Sequence, residues 1–156
     1  MLIIGVDPGK LGGLAALSDG RLLDAWRMPL TADGKQVDAH GVRDLLDAIA
    51  SPNDSVIALE HLHAMPMNGS VASFSLGFSV GVVTGVALGA GYSLRLTRPQ
   101  EWKRLVGLPP GSDKGASRAR ASELFPAQRD LWKLKRDDGV AEAALIAEAI
   151  RVRDNL

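Results

Sequence analysis

The chain has 156 residues, of which 46% are hydrophobic, and it has no cysteine and a formal net charge of zero. This length and composition predict a single domain over residues 1–156 with a real hydrophobic core, and they argue against a disordered chain. The lack of cysteine excludes disulfide scaffolds, thiolate zinc sites and cysteine nucleophiles, and it fits a reducing compartment. Because the N-terminus shows no signal-peptide pattern, we expect the protein in the cytoplasm, or in the host cytoplasm if a phage encodes it.

The charges are unevenly distributed along the chain. Residues 1–78 carry 5 basic and 9 acidic groups, whereas residues 79–156 carry 13 basic and 9 acidic groups. The first part is therefore net acidic and the second net basic. This pattern suits a protein that binds cations with one part and polyanions with another, and zero net charge argues against a purely electrostatic DNA coat.

Three predicted strands open the chain and form an antiparallel meander. The first ends on Asp7, where Pro8 and Gly9 force a turn. Taken alone, Asp7 is most simply interpreted as a turn residue. The three strands span residues 2–7, 14–17 and 21–28.

A helix and a fourth strand follow and change the interpretation of Asp7. Apolar residues recur at helical spacing over residues 37–49, with Asp38 as a candidate N-cap, and the strand over residues 55–60 ends on Glu60. A right-handed crossover places this strand parallel to the first. Asp7 and Glu60 then lie at the same edge of the sheet, where two acids repel each other unless a cation binds.

The stretch from residue 70 to residue 90 is apolar or small almost throughout, and no charged residue lies between Glu60 and Arg95. Its length of about 20 residues also fits a membrane span. We favour a buried helix, because the stretch is rich in Ser and Gly and lacks basic flanks. A stripe of small residues suits close packing against the sheet or a partner subunit. The stripe consists of Gly77, Gly81, Gly85 and Gly89.

A basic region lies between a fifth strand, residues 92–97, and the closing helix. Residues 91–136 contain 11 basic and 4 acidic side chains, partly on a short helix over residues 99–106 and the loop over 107–115, and partly beside Trp132. Phosphate contacts with a stacking indole are one interpretation. The alternative is a solvated helix face with a buried Trp132.

The closing helix, residues 137–152, carries Asp138 and Glu142 four residues apart and therefore on one face. Capping and the helix dipole account for Asp137 and Asp138 but not for Glu142. Two acids at strand ends and two on one helix face supply the ligands for two magnesium ions roughly 3.5–4 Å apart on a scissile phosphate. These acids are Asp7, Glu60, Asp138 and Glu142.

In this order and spacing, the motifs resemble those of the RuvC-type Holliday junction resolvases, which have a ribonuclease H-like fold. Residues 4–9 (IGVDPG) look like the family's first motif, 57–60 (IALE) its second, and 141–147 (AEAALIA) its closing helix, while residues 70–85 are similar to its dimer-interface helix. The chain looks like a compact phage or bacterial member. The resemblance implies a five-stranded mixed α/β sheet in the order 3-2-1-4-5, with strand 2 antiparallel and helices on its flanks.

The resemblance also implies the site residues. The catalytic and metal-binding acids would be Asp7, Glu60, Asp138 and Glu142. Residues 99–103 (PQEWK) look like the family's DNA-facing segment, in which Lys103, with Lys114 following, would match lysines that hold phosphates. The candidate DNA-binding residues are His63, Lys103, Lys114, Arg118, Lys133 and Lys135.

The sequence departs from the family in two places. His63 stands where an aromatic ring often stacks at the junction centre, and an imidazole stacks less strongly. Glu142 stands where Asp is common, and Asp138 lies one residue further upstream than the usual acid, which leaves Asp137 as an alternative ligand. We choose Asp138 because a four-residue spacing keeps one helical face. A zinc pair of His61 and His63 is a weaker interpretation, since only His40 remains as a further histidine.

These observations predict a homodimeric, Mg²⁺-dependent endonuclease, with two ions per site and Mn²⁺ able to substitute, that resolves Holliday junctions or other branched DNA by paired nicks without binding a membrane. One alternative is a ribonuclease H-like nuclease acting on flaps or RNA–DNA hybrids. Another is an actin-like phosphate-binding domain, which needs a second phosphate-binding half that 156 residues hardly provide. A third is a non-catalytic DNA-binding relic, against which the intact acids argue.

Overall fold

A computed structural model of the chain describes residues 1–61 and 69–156. Its strands are β1 (Leu2–Asp7), β2 (Gly13–Ser18), β3 (Arg21–Arg27), β4 (Ser55–Glu60) and β5 (Ser93–Thr97). Its helices are α1 (Ala39–Ile49), α2 (Ser70–Gly89), α3 (Pro99–Leu105), α4 (Lys114–Leu124) and α5 (Asp138–Asp154), and short 3₁₀ turns cover Pro52–Asp54, Pro126–Trp132 and Lys135–Asp137. The predicted strands and helices are present within a few residues of their expected ends. Helix α4 is an exception, because the sequence predicted no helix there.

The five strands form one mixed sheet in the order β3-β2-β1-β4-β5. β2 is antiparallel to β1 and β3, whereas β4 lies parallel to β1 and β5. The predicted strand order and directions are therefore confirmed. Strands β1 and β4 are neighbours with their carboxyl ends together, because α1 provides a crossover long enough for parallel pairing. Asp38 caps α1 as predicted, its Oδ1 accepting a hydrogen bond from the His40 amide at 3.1 Å.

Helix α5 packs directly across one face of the sheet. Alternate residues of a strand share a face, so Ile3 and Gly5 in β1 point to α5 on the same side as Asp7. A Cβ at Gly5 would lie 2.0 Å from the Ala143 carbonyl oxygen and 2.7 Å from the Ala147 amide nitrogen. The lack of a side chain at Gly5 lets the backbones of β1 and α5 approach closely, and most of α5 is buried.

The other face of the sheet is covered by α1 and α2, but α2 is largely exposed. Only Ser79, Val83 and Ala87 of α2 are buried. The prediction of a buried helix is wrong for a single copy of the chain. Of the two packing alternatives for the glycine stripe, packing on the sheet is wrong, and packing on a partner subunit stays a prediction. A Cβ built on Gly77, Gly81, Gly85 or Gly89 would meet no described atom within 4 Å. The stripe instead faces away from its own sheet. By length and composition alone, α2 is also long and apolar enough to cross a membrane.

Candidate active site

Two strand ends deliver Asp7 and Glu60 to one cleft. Both belong to the residues that face α5, because Asp7 follows Ile3 and Gly5 in alternation and Glu60 follows Val56 and Ala58. Asp7 is 8% exposed and Glu60 is 9% exposed. Few polar groups contact either acid. Asp7 Oδ1 accepts a hydrogen bond from the Gly9 amide at 3.2 Å, and Glu60 Oε1 accepts one from Trp102 Nε1 at 2.7 Å.

Glu142 reaches the same cleft from the first part of α5. It is buried, and its Oε1 accepts a hydrogen bond from Ser117 Oγ at 3.2 Å, while Lys114 Nζ lies 3.7 Å from its Oε2. Both partners belong to α4, which packs alongside α5. Helix α4 therefore holds Glu142 and also partly neutralises it.

Asp138 and Asp137 have separate partners outside this cleft. Asp138 Oδ1 lies 2.7 Å from Arg118 Nε of α4. Asp137 is 4% exposed and accepts a hydrogen bond from Arg27 Nε of β3 at 2.6 Å. Asp137 thus ties the start of α5 to the edge of the sheet. The structure brings three of the four predicted acids into one cleft, whereas Asp138 does not line this cleft and lies against Arg118.

The electrostatics of the cleft follow from burial and charge repulsion. Burial, and then the nearby Glu142 carboxylate, raise the pKa of Asp7 to about 6, although the Gly9 amide and Lys114 act in the opposite direction. Burial, and then Asp7, raise the pKa of Glu60 to about 7, opposed by the hydrogen bond from Trp102. Charged carboxylates are therefore costly here, and an added cation would relieve the repulsion.

The donor set fits divalent magnesium. Carboxylate oxygens are its preferred protein ligands, and Mg²⁺ is usually held by one or two carboxylates together with water and substrate phosphates. Within residues 1–61 and 69–156, no three His, Cys, Asp or Glu side chains form a ready-made metal cage. Asp7, Glu60 and Glu142 would be the residues that hold such an ion, because they line one open cleft of about 420 Å³.

Two of the predicted phosphate-binding lysines border this cleft. Lys103 and Lys114 both line it, and Lys103 Nζ donates a hydrogen bond to the Ser112 carbonyl oxygen at 2.9 Å. A second trough of about 720 Å³ shares Pro99 and Lys103 with the cleft and adds Arg98 and Arg104 at its walls. The acidic cleft therefore opens into a basic surface.

The remaining predicted DNA-binding residues are placed differently. Lys133 and Lys135 are exposed near the start of α5, whereas Arg118 lies against Asp138. Trp132 is 1% exposed, and its Nε1 donates to Ser122 Oγ at 2.9 Å, so of the two interpretations of this indole the buried one is confirmed and stacking on DNA is excluded. His63 lies outside the described residues, and its role stays a prediction.

Three residues that shape the site were not predicted from the sequence. Trp102 binds Glu60, Ser117 binds Glu142, and Asp113 lines the cleft while its Oδ1 caps α4 by accepting a hydrogen bond from the Ala116 amide at 2.8 Å. Asp113 follows the pattern of an N-cap and could have been found. Ser117 carries no sequence signal, because its role depends on how α4 packs on α5.

Comparisons with known proteins bear on the sequence and the fold of the chain. No protein-family model matches the chain. Holliday junction resolvase MOC1, chloroplastic, of Chlamydomonas reinhardtii is 35% identical over 83 residues, which make up 53% of this chain and 9% of that protein. The chain therefore spans only a small part of the curated relative that it matches.

Two solved structures match nearly the whole chain. T. thermophilus RuvC in complex with a Holliday junction substrate has a TM-score of 0.70 at 18% identity, covering 99% of this chain and 96% of that one. A further Thermus thermophilus RuvC structure has a TM-score of 0.68 at 16% identity, covering 99% and 97%. These matches confirm the predicted fold and the resemblance to RuvC-type resolvases: the chain has the ribonuclease H-like fold of RuvC over nearly its whole length.

Proposed function

We propose that this protein is a metal-dependent endonuclease that resolves DNA four-way junctions. The observation that carries the proposal is the meeting of Asp7, Glu60 and Glu142 in one cleft that opens onto Lys103 and Lys114. One of the matched RuvC structures is a complex with a Holliday junction substrate, which supports junction DNA as the substrate on this fold. The sequence similarity to a Holliday junction resolvase supports the same choice.

The roles of the residues follow from their positions. Asp7, Glu60 and Glu142 would hold magnesium, and Asp138 would be the fourth residue to hold it. Magnesium bound there would activate water and stabilise the leaving 3′ oxygen, with Mn²⁺ as a substitute. Lys103 and Lys114 hold the phosphates on either side of the cut, and the exposed Lys133 and Lys135 contact DNA further away.

A substrate panel tests this function. Four-way junction, flap, RNA–DNA hybrid and linear duplex are compared at one salt concentration with Mg²⁺, Mn²⁺ or EDTA, because affinity for nucleic acid depends strongly on salt. We expect paired nicks in the junction with either metal and no cutting in EDTA. Preferred cutting of the hybrid or the flap would assign the site to another ribonuclease H-like activity.

We further propose that the protein acts as a homodimer that pairs through α2. The outward face of α2 combines the glycine stripe with exposed Val71, Phe74 and Leu88. Soluble proteins rarely leave such a contiguous apolar face uncovered. A two-fold dimer would present two cutting sites to a two-fold-symmetric junction.

Sedimentation of the Gly81→Leu variant tests the dimer. A Cβ at Gly81 would meet no atom within 4 Å among the described residues, so we expect a folded monomer that still binds DNA but no longer makes paired nicks. A dimer of wild-type stability in this variant would refute pairing through α2. Arg43→Met, on the exposed face of α1, is the matched surface control.

A further inference from the structure

Arg118 occupies the position of a cation on Asp138. Its Nε lies 2.7 Å from Asp138 Oδ1, and the side chain of Asp138 is only 12% exposed. Within residues 1–61 and 69–156, neither of these two buried atoms has an aligned hydrogen-bond partner. The contact is therefore a charge contact without the directionality that fixes an Arg–carboxylate pair in one geometry.

Helix α4 places this arginine next to the residues that hold Glu142. Ser117 and Lys114 contact Glu142, while Arg118, one position after Ser117, contacts Asp138. One helix thus contacts both of the predicted metal-binding acids on α5. Of the predicted acids, Asp138 is the one matched by a guanidinium at contact distance, and the strand-end acids have no such partner among the described residues.

The contact of Arg118 with the chain outside α5 is weak. Its other described contact is a hydrogen bond from Nη1 to the Lys133 carbonyl oxygen at 3.4 Å, which is long. The side chain is 28% exposed and borders a surface depression with Arg129 and Lys133. A phosphate in that depression would be an alternative partner for the guanidinium.

We propose that Arg118 competes with a divalent cation for Asp138, so that Arg118 acts as a positioning residue that keeps the fourth carboxylate out of the metal site until it is displaced. This inference rests on the proposed metal-dependent function. In the free protein, the guanidinium of Arg118 binds Asp138 rather than DNA. A DNA phosphate that binds Arg118 then releases Asp138. By linkage, DNA and the second cation then bind more tightly together than separately.

Calorimetric titration of Mn²⁺ into the DNA-free protein tests the proposal without using activity. We expect wild type to bind one ion well and a second at least about tenfold more weakly, a difference of about 1.4 kcal/mol. Arg118→Met should strengthen the second site by about tenfold or more. Arg118→Lys, which keeps the charge, should behave like wild type, and so should the surface control Arg43→Met.

A double variant separates competition from a structural role. Asp138→Asn removes the carboxylate, so Arg118→Met in that background should leave Mn²⁺ binding unchanged. Equal second-site affinity in wild type and Arg118→Met, with both proteins folded, would overturn the competition. If wild type binds no Mn²⁺ that depends on Asp7, the proposed function itself fails, and this outcome is distinct.

Discussion

The four predicted metal-binding acids come from two sources that differ in how they are neutralised. Asp7 and Glu60 end two strands, their close partners among the described residues are N–H donors, and their pKa values are raised. Asp138 and Glu142 lie on α5 and are matched by Arg118 and Lys114 of α4. An added cation therefore stabilises the strand-end pair most. At the helix pair, the same cation would first have to displace Arg118 or Lys114.

The largest expected effect on stability and cleavage comes from a substitution that moves α5, with the helix acids, away from β1 and the strand-end acids. Gly5→Ala places a Cβ 2.0 Å from the Ala143 carbonyl oxygen, so α5 must move away from β1. We expect the free energy of unfolding to fall by about 3 kcal/mol or more, with loss of cleavage. Denaturant melts measure the change.

Gly77→Ala is the control for that substitution, because its Cβ meets no described atom within 4 Å. Both variants are compared in the Gly81→Leu background, which keeps the proposed dimer contact of α2 out of the measurement. On an exposed helix, alanine should raise stability by up to about 1 kcal/mol. Similar losses of stability for both variants would show that Gly5 is not a close-approach position.

The next largest effect is expected in metal-free protein at pH 8. There, removing a charge from the strand-end pair and removing one from the helix pair should change the free energy of unfolding in opposite directions. Asp7→Asn keeps an acceptor for the Gly9 amide and removes a buried, repelled charge, so it should stabilise by on the order of 1–2 kcal/mol. Asp138→Asn leaves Arg118 without its charge partner and should destabilise by about 1–3 kcal/mol. Changes of the same sign in the two melts would contradict the distinction.

The smallest expected effect is a pH dependence that only the strand-end pair produces. The pKa of Glu60 rises from 4.5 to about 7 on folding, so the native state retains a proton that the unfolded chain has lost. Metal-free stability should therefore fall as pH rises from about 4.5 to 7, by on the order of 1 kcal/mol, and change little above that window.

Glu60→Gln should lack this component of the pH dependence, and thermal melts at several pH values compare the two proteins. Saturating Mg²⁺ should raise the melting temperature more at pH 8 than at pH 5, because the carboxylates must be ionised to bind it. An equal Mg²⁺ shift at both values would count against a site built on Glu60.

The sequence predicted the sheet and the strand-end acids because both depend on local signals. Apolar runs ending on Asp7 and Glu60, and a crossover through α1, leave little choice about where the two carboxylates lie. Asp38 as a cap and the order of the strands follow from the same kind of pattern.

The remainder of the site depends on how distant elements pack, which local patterns do not encode. Helix α4 carries little hydrophobic periodicity, so the contacts of Ser117 and Arg118 with α5 could not be predicted from the sequence. The sequence left the role of Trp132 open, because a tryptophan among basic residues has the same pattern whether it stacks or is buried. Similarly, neither α2 nor α5 has a distinct apolar face in its sequence, yet of these two helices only α5 is mostly buried by its own chain.

The most direct test of the central claim is single-turnover cleavage of a four-way junction in Mg²⁺ by Asp7→Asn beside wild type, with DNA binding measured on the same preparations. We expect the variant to fall by about 10³-fold or more in rate, corresponding to several kcal/mol of lost metal assistance, while junction affinity is retained. Cleavage by Asp7→Asn at the wild-type rate would contradict the assignment of this cleft as the cutting site.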